Sequence, residues 1–367
     1  MNHSLRSRGS SAVRSFPRAQ AHAGARGGFT LIEALVVIAV IAALTGVLFP
    51  VVGSALKSAR AARCVMQERG LHSETFAWAA SNNDALPGVN TTGKPYLRFG
   101  DMGLLCGDTT PTTPTSVYDW ISPIMGATLN FSPNRAARTA QIFEELACPE
   151  SKKMNDALYG PANVPDFADF DAIQQGSGFR QISYLSPASF HLLGKRDSGG
   201  NPWAGPDGGW HYPYRGPVVT PAGYRPRTHS VGNPALKIWV ADGTRYVAAP
   251  DVLDFDIHPR PQFYGSFTTS GPIYVGSTAY GQNPSQVEFP GSGERVLPRS
   301  VYPHNARLSY RHNGKIHAAY FDGHVGALDE VASRTDATPW YPTGSVFTGI
   351  RATSDALGNH AEGEVLN

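Results

Sequence analysis

The sequence predicts an α+β fold: a long N-terminal helix, first transmembrane and then amphipathic, packed on an antiparallel β-sheet with long Pro/Gly/aromatic-rich loops. Three observations predict it. Residues 34–56 carry no charge, a run of 23. Between Pro50 and Pro87 there is no proline, and apolar residues recur near helical spacing. Near the far end, strand-like runs are joined by Asn313-Gly314 and Asp322-Gly323, the dipeptides most typical of hairpin turns.

The first helix follows from length. A membrane span needs about 20 apolar residues, and residues 29–53 as a helix reach roughly 37 Å. Five arginines (Arg6, Arg8, Arg14, Arg18, Arg26) precede the apolar run with no acid, and Lys57, Arg60 and Arg63 follow it. That bias favours a cytoplasmic N-terminus. No small-residue cleavage pattern follows the run around residues 53–62. Glu33, by contrast, places an acid in the first turns of the apolar helix, at about 2.5–3.5 kcal/mol on insertion scales. Acids in such positions are usually paired and functional.

Beyond the span, Val52, Leu56, Ala59, Ala62, Met66, Ala77 and Ala80, with Phe76 beside them, predict an amphipathic continuation over 54–84. Asn82, Asn83, Asp84 and Pro87-Gly88 supply its stop. Residues 85–367 read as a β-rich domain. Strands are predicted at 181–185, at 235–241 and in a meander over 306–312, 315–321 and 324–328. The Pro/Gly/aromatic stretches 186–234 and 244–303 are long for loops and are expected to be ordered by their aromatics, with small extra strands.

Composition excludes several classes. Charged residues are 16% against roughly 25% in soluble proteins, and 10% are aromatic, which speaks against disorder. A net charge of +2, concentrated in the leader, offers no basic face for nucleic acid. Three cysteines cannot build a disulfide scaffold or a four-cysteine zinc site.

The segment Arg26-Gly27-Gly28-Phe29-Thr30-Leu31-Ile32-Glu33 resembles the processing signal of type IV prepilins and type II secretion pseudopilins. The resemblance implies removal of residues 1–28 as a basic leader, with cleavage after Gly28 and N-methylation of Phe29. Glu33 becomes the fifth mature residue, the acidic position used in subunit assembly. The implied partners are a prepilin peptidase/N-methyltransferase, other pilin-like subunits, an inner-membrane assembly platform and membrane lipid. The implied place is the cytoplasmic membrane, single-pass, with the C-terminal domain periplasmic or extracellular. His312, nine residues, then Asp322-Gly323 resembles a second signature, found at the C-terminus of large prepilin-like proteins. Ala147-Cys148-Pro149 and Ala241-Asp242-Gly243 are similar to that group too.

No enzyme motif is recognised, so the expectation is a structural subunit. An alternative is a membrane-tethered surface protein that grips polysaccharide with Trp203, Trp210, Tyr212, Tyr214 and Tyr224. His312, His317, Asp322 and His324 suggest a metal site. With a two-residue second turn, however, His317 and His324 would lie about 13 Å apart along one face, so one ion cannot gather them and no metal centre is expected. Asp101, Asp108, Asp166, Asp169 and Asp171 leave loop-bound calcium as a weak expectation. The oxidising compartment implied by this topology admits one disulfide among Cys64, Cys106 and Cys148. All three pairings are open, and Cys106 with Cys148 is favoured.

Overall fold

The computed structural model describes residues 28–97, 104–151, 153–154, 164–180, 182–195, 209–212, 216–245, 257–260, 267–275, 277, 279–280 and 309–367. The leader through Gly27, and Asp101, Gln181, Trp203 and Tyr214, lie outside them. The chain divides into two compact units, residues 1–54 and 55–367.

Helix α1 spans Leu31–Ser81, with Pro50 inside it. In the first unit its large side chains, from Leu31 to Val52, are exposed apolar groups, and this helix is long and apolar enough to cross a membrane. The helix starts on a capping box that the sequence reading did not identify. The Thr30 amide and hydroxyl both donate to Glu33 Oε2 at 2.8 Å, and the Glu33 amide donates to Thr30 Oγ1 at 3.2 Å. Orphan donors of the first turn are thereby satisfied.

In the second unit α1 buries Cys64, Glu68, Leu71, Thr75 and Ala79. This is not the predicted stripe: Met66, Ala77 and Ala80 are exposed. Apolar periodicity misplaced the inner face because two of its five residues are polar. Thr75 accepts from Trp239 Nε1 at 3.1 Å, and Glu68 sits in the polar cluster described below. The helix stops where expected, as Asn83 and Asp84 take φ of 54° and 59°.

Ten short strands are described: β1 Lys153–Met154, β2 Phe179–Arg180, β3 Tyr184–Pro187, β4 Val218–Val219, β5 Ile238–Asp242, β6 Thr268–Thr269, β7 Lys315–Tyr320, β8 Val325–Asp329, β9 Ser345–Phe347 and β10 Val365–Leu366. The main sheet has the order β6-β3-β5-β7-β8. Its pairs are antiparallel except β3 with β6. All five residues of β5 are buried, as suits a strand with neighbours on both edges. Residues 306–308 lie outside the described residues, and among the rest the predicted three-stranded meander is not formed: β7 pairs with β5 and β8. Among residues 309–312, only His312 bridges to the hairpin, opposite Lys315. The free edge of β7 pairs with β5 instead, because Arg311 and His312 turn inward to a carboxylate at the end of β5.

An aromatic chain fills the interior. Trp120 packs on Trp239 (centroids 5.2 Å), Trp239 on Phe321 (5.4 Å), and Phe321 on Phe190 (5.0 Å). Trp210, Tyr212 and Tyr224 are buried with them. These three loop aromatics of 186–234 therefore present no exposed platform for a sugar, and most of 244–303 lies outside the described residues. A second packing centre is a buried pair: Arg135 Nη2 meets Asp166 Oδ1 at 2.5 Å and Arg135 Nε meets Asp166 Oδ2 at 2.6 Å.

His191 packs beside both Trp120 and Trp239, its Nδ1 2.9 Å from the Pro87 carbonyl oxygen. Burial lowers its pKa to about 4, partly offset by that hydrogen bond. The neutral ring is thus native, while an unfolded histidine protonates near 6.5. Its contribution is fully present above about pH 6.5 and is lost as pH falls towards 4. Denaturant unfolding of the detergent-solubilised chain should show about 3 kcal/mol of acid-dependent loss over that window, at about 1.36 kcal/mol per pH unit. The His191→Gln variant should show a flatter profile.

Candidate functional site

Two sites follow from the sequence reading: the junction before α1 and the histidine-to-glycine segment of the hairpin.

At the junction, Gly28, Phe29 and Thr30 are exposed and non-helical, immediately before α1. Among the described residues, nothing lies within 4 Å of the position a Cβ would take on Gly28. Glu33 is exposed on the first turn and bonded only to Thr30 among the described residues.

At the hairpin, His312 and Lys315 exchange backbone hydrogen bonds of 3.2 Å. Asn313 and Gly314 between them take φ of 54° and 78°. This is the predicted two-residue turn, which needs left-handed backbone at both positions. The second turn differs by one residue. Tyr320, not Phe321, faces His324: the Tyr320 amide donates to the His324 carbonyl at 2.9 Å, and Phe321 instead donates to the Lys237 carbonyl. A one-residue slip reverses the face of every following side chain. His324 consequently stacks on Tyr320 (centroids 4.1 Å) and leaves the face of His317. Asp322 holds the turn by accepting from the His324 amide at 3.1 Å and facing its Nδ1 at 2.6 Å. Gly323 has φ +90°, and a Cβ there would lie 3.0 Å from the His72 ring. His72 Nε2 is in turn 3.1 Å from the Phe321 carbonyl oxygen.

His312 is nearly buried and enters a polar cluster at the end of β5. Its Nε2 is 3.3 Å from Asp242 Oδ2 and 3.4 Å from Cys148 Sγ. Cys64 Sγ, on α1, is 2.9 Å from Cys148 Sγ. One donor atom from each of Cys64, Cys148, Asp242 and His312 lies within 4.8 Å of the others. All three cysteines are free thiols in the structure, and the one beside Cys148 is Cys64 rather than Cys106. Cys106 instead lies near Asp166 and Arg135. The α1 helix projects Cys64 inward at that level, a placement that sequence spacing does not encode.

Asp242 is fully buried. Arg311 Nη2 approaches its Oδ1 at 3.2 Å, and His317 approaches Oδ2 through its amide at 3.1 Å and its Nδ1 at 3.2 Å. Burial opposes ionisation of Asp242, but hydrogen bonds from His312 and His317 and the Arg311 charge outweigh it and hold its pKa below the ordinary carboxylate value. His312 is moved up to about 9: burial lowers it, and contacts with Asp242 and Cys148 more than compensate. The hydrogen bond from Cys64 draws Cys148 down to about 4 against burial, aided by His312 and Arg311. The same bond pushes the Cys64 thiol up. Glu68 is wholly buried, and neither carboxylate oxygen has a well-formed hydrogen bond. Burial and the neighbouring Asp242 charge raise its pKa strongly, eased by the Asp242 amide and Arg311.

Sequence reasoning names His312, His317, Asp322, Gly323 and Cys148, but assigns no role to Glu68 or Arg311. Cys64 and Glu68 stand four apart on α1, and that spacing was the available signal. Of the acids considered for calcium, Asp166 holds Arg135, Asp108 and Asp169 accept from the Asn134 amide at 3.0 and 2.8 Å, and Asp171 accepts from Gln175 at 2.7 Å.

Residues 24–49 match the family model described as the prokaryotic N-terminal methylation motif. The match contains the 28–29 junction and Glu33, so the chain carries a type IV prepilin-like signal. The hairpin segment lies outside the matched residues. No curated protein and no solved structure matches the chain.

The turn geometry makes a direct prediction. Gly314→Val and Gly323→Val should each cost roughly 1–3 kcal/mol through forced left-handed backbone, read as lowered melting temperatures. Gly358→Ala, inside the helix at Ser354–Asn359 with open space around it, should leave melting unchanged or raise it slightly.

Proposed function

We propose that the chain is a pilin-like structural subunit, processed after Gly28 and assembled through α1 into a type IV pilus-like or type II secretion-like filament. The observation that carries this reading is the N-terminal methylation motif at 24–49, continuous with a helix apolar enough to span a membrane. In this reading a membrane peptidase reaches the 28–29 bond from the cytoplasmic side, where the arginine-rich leader lies, and the new Phe29 amine is methylated. The domain from residue 55 onward is then held outside the cytoplasmic membrane by a single span.

Glu33 has two uses in this scheme. In the isolated chain its carboxylate caps α1 through Thr30. In a filament it pairs with the amine of a neighbouring Phe29. A carboxylate in an apolar bundle is costly unless paired, so the pairing both compensates the charge and sets the register of subunit addition. The subunit is read as non-enzymatic. Its partners are the processing peptidase/N-methyltransferase, an assembly platform and other pilin-like subunits.

Mass-spectrometric reading of the mature N-terminus tests the processing step. A methylated Phe29 is expected, and Gly28→Leu should accumulate the full-length precursor because a branched side chain then crowds the scissile bond. A wild-type chain starting at Met1 would refute the reading.

Assembly separates the two uses of Glu33. Glu33→Ala should still be cut and inserted but should be missing from sheared filament fractions. Thr30→Ala removes the cap yet leaves the acid, so it should be incorporated, with a loss of about 1 kcal/mol at the helix start. Equal failure of both variants would assign Glu33 to helix capping alone.

A further inference from the structure

We propose that Cys64, Cys148, Asp242 and His312 form a site for a divalent metal ion of the zinc class, clamping α1 to the end of β5 inside the second unit. This set differs from the histidine cluster considered from sequence, since only His312 is common to both. Two sulfurs, one imidazole nitrogen and one carboxylate oxygen are a donor set that suits zinc, which is borderline-soft and takes four tetrahedral ligands.

The spacing supports the assignment. A tetrahedral zinc with Zn–N of about 2.0–2.1 Å, Zn–O of about 2.0–2.2 Å and Zn–S of about 2.3 Å has N···O edges near 3.3 Å, N···S near 3.6 Å and S···S near 3.8 Å. Here His312 Nε2 stands 3.3 Å from Asp242 Oδ2 and 3.4 Å from Cys148 Sγ. A single nitrogen aimed at both partners is the arrangement of a ligand pointing at a shared centre. The S···S edge, at 2.9 Å, must open by about 0.9 Å to meet the tetrahedral value.

The surroundings are those of a supported metal ligand set. Asp242 is oriented by Arg311 on Oδ1 and by the amide and ring of His317 on Oδ2, as outer-shell partners orient metal-bound carboxylates. Cys148 is fixed through its amide, which donates to Ser183 Oγ at 2.8 Å. Glu68, one helical turn from Cys64, is wholly buried without a well-formed hydrogen bond. Burying such a group without a partner is costly, and a nearby dication supplies one. On binding, the Cys64 thiol and the His312 ring each release a proton to solvent, Cys148 binds as the thiolate, and two metal–sulfur bonds form with no change of oxidation state.

The test uses the full chain purified in detergent under reducing conditions, with Zn²⁺ and Co²⁺ as probes. Elemental analysis should find one zinc per chain. Co²⁺ should give the sulfur-to-cobalt charge-transfer absorption of thiolate ligands, displaced by Zn²⁺. A strong chelator should lower the melting temperature and added zinc should restore it. Cys148→Ser and His312→Ala should lose the cobalt absorption, while Cys106→Ser and His324→Ala should keep it. The wild-type measurement stands by itself should the ligand variants misfold. A folded, thiol-reduced wild-type chain that takes up neither metal would overturn the proposal. So would peptide mapping that finds a Cys64–Cys148 disulfide in protein isolated without reductant.

Discussion

The Asp242 carboxylate is the constraint on which the second unit depends. It is fully buried at the end of the central strand β5, and an ionised group there is tolerable only when its lone pairs are filled. Arg311, His312 and His317 fill them. Arg311 also donates to the Ser183 carbonyl and the Thr244 hydroxyl, so one guanidinium ties the chain before the hairpin to β5 and to the approach to β3. Removing one member of such a group typically costs 3–5 kcal/mol, because the remaining charge stays buried.

This demand explains the sheet order. Residues 309–312 have the composition of a strand, yet they cannot line β7 while two of them turn to Asp242. The vacated edge pairs with β5, which is apolar on both faces and needs neighbours on both sides. His312 then starts the tight turn through Asn313-Gly314, and β7 follows with His317 at the same carboxylate. The histidine-to-glycine signature therefore has two jobs: His312 belongs to the buried cluster, whereas Asp322 and Gly323 shape a turn against His72 on α1.

Helix α1 shows how one element meets two solvents. From Leu31 to Val52 nearly every large side chain is apolar and exposed, in a helix long and apolar enough to cross a membrane. From Cys64 to Ala79 one narrow face is buried, and it mixes thiol, carboxylate, aliphatic and hydroxyl groups. The capping box at Thr30 and Glu33 begins the helix within two residues of the processing junction.

By itself the sequence determined what local chemistry can determine. The charge-free run gives a helix long and apolar enough to cross a membrane, the segment around Gly28, Phe29 and Glu33 carries the prepilin-like signal, and Asn313-Gly314 dictates a two-residue turn because few other residues accept left-handed backbone at both positions. Asn82, Asn83 and Asp84 likewise end α1 in place. Tertiary structure decided the rest. The inner face of α1 was hidden because Glu68 and Thr75 are buried by virtue of distant partners, not of their own hydrophobicity. The slip of the second turn was settled by Phe321, whose ring packs on Trp239 and Phe190 and whose amide bonds Lys237, contacts invisible to a turn rule. The meeting of Cys64 with Cys148, 84 residues apart, depends on how α1 crosses the sheet end. Local patterns encode backbone preference, but long-range partners decide which polar groups are drawn inside.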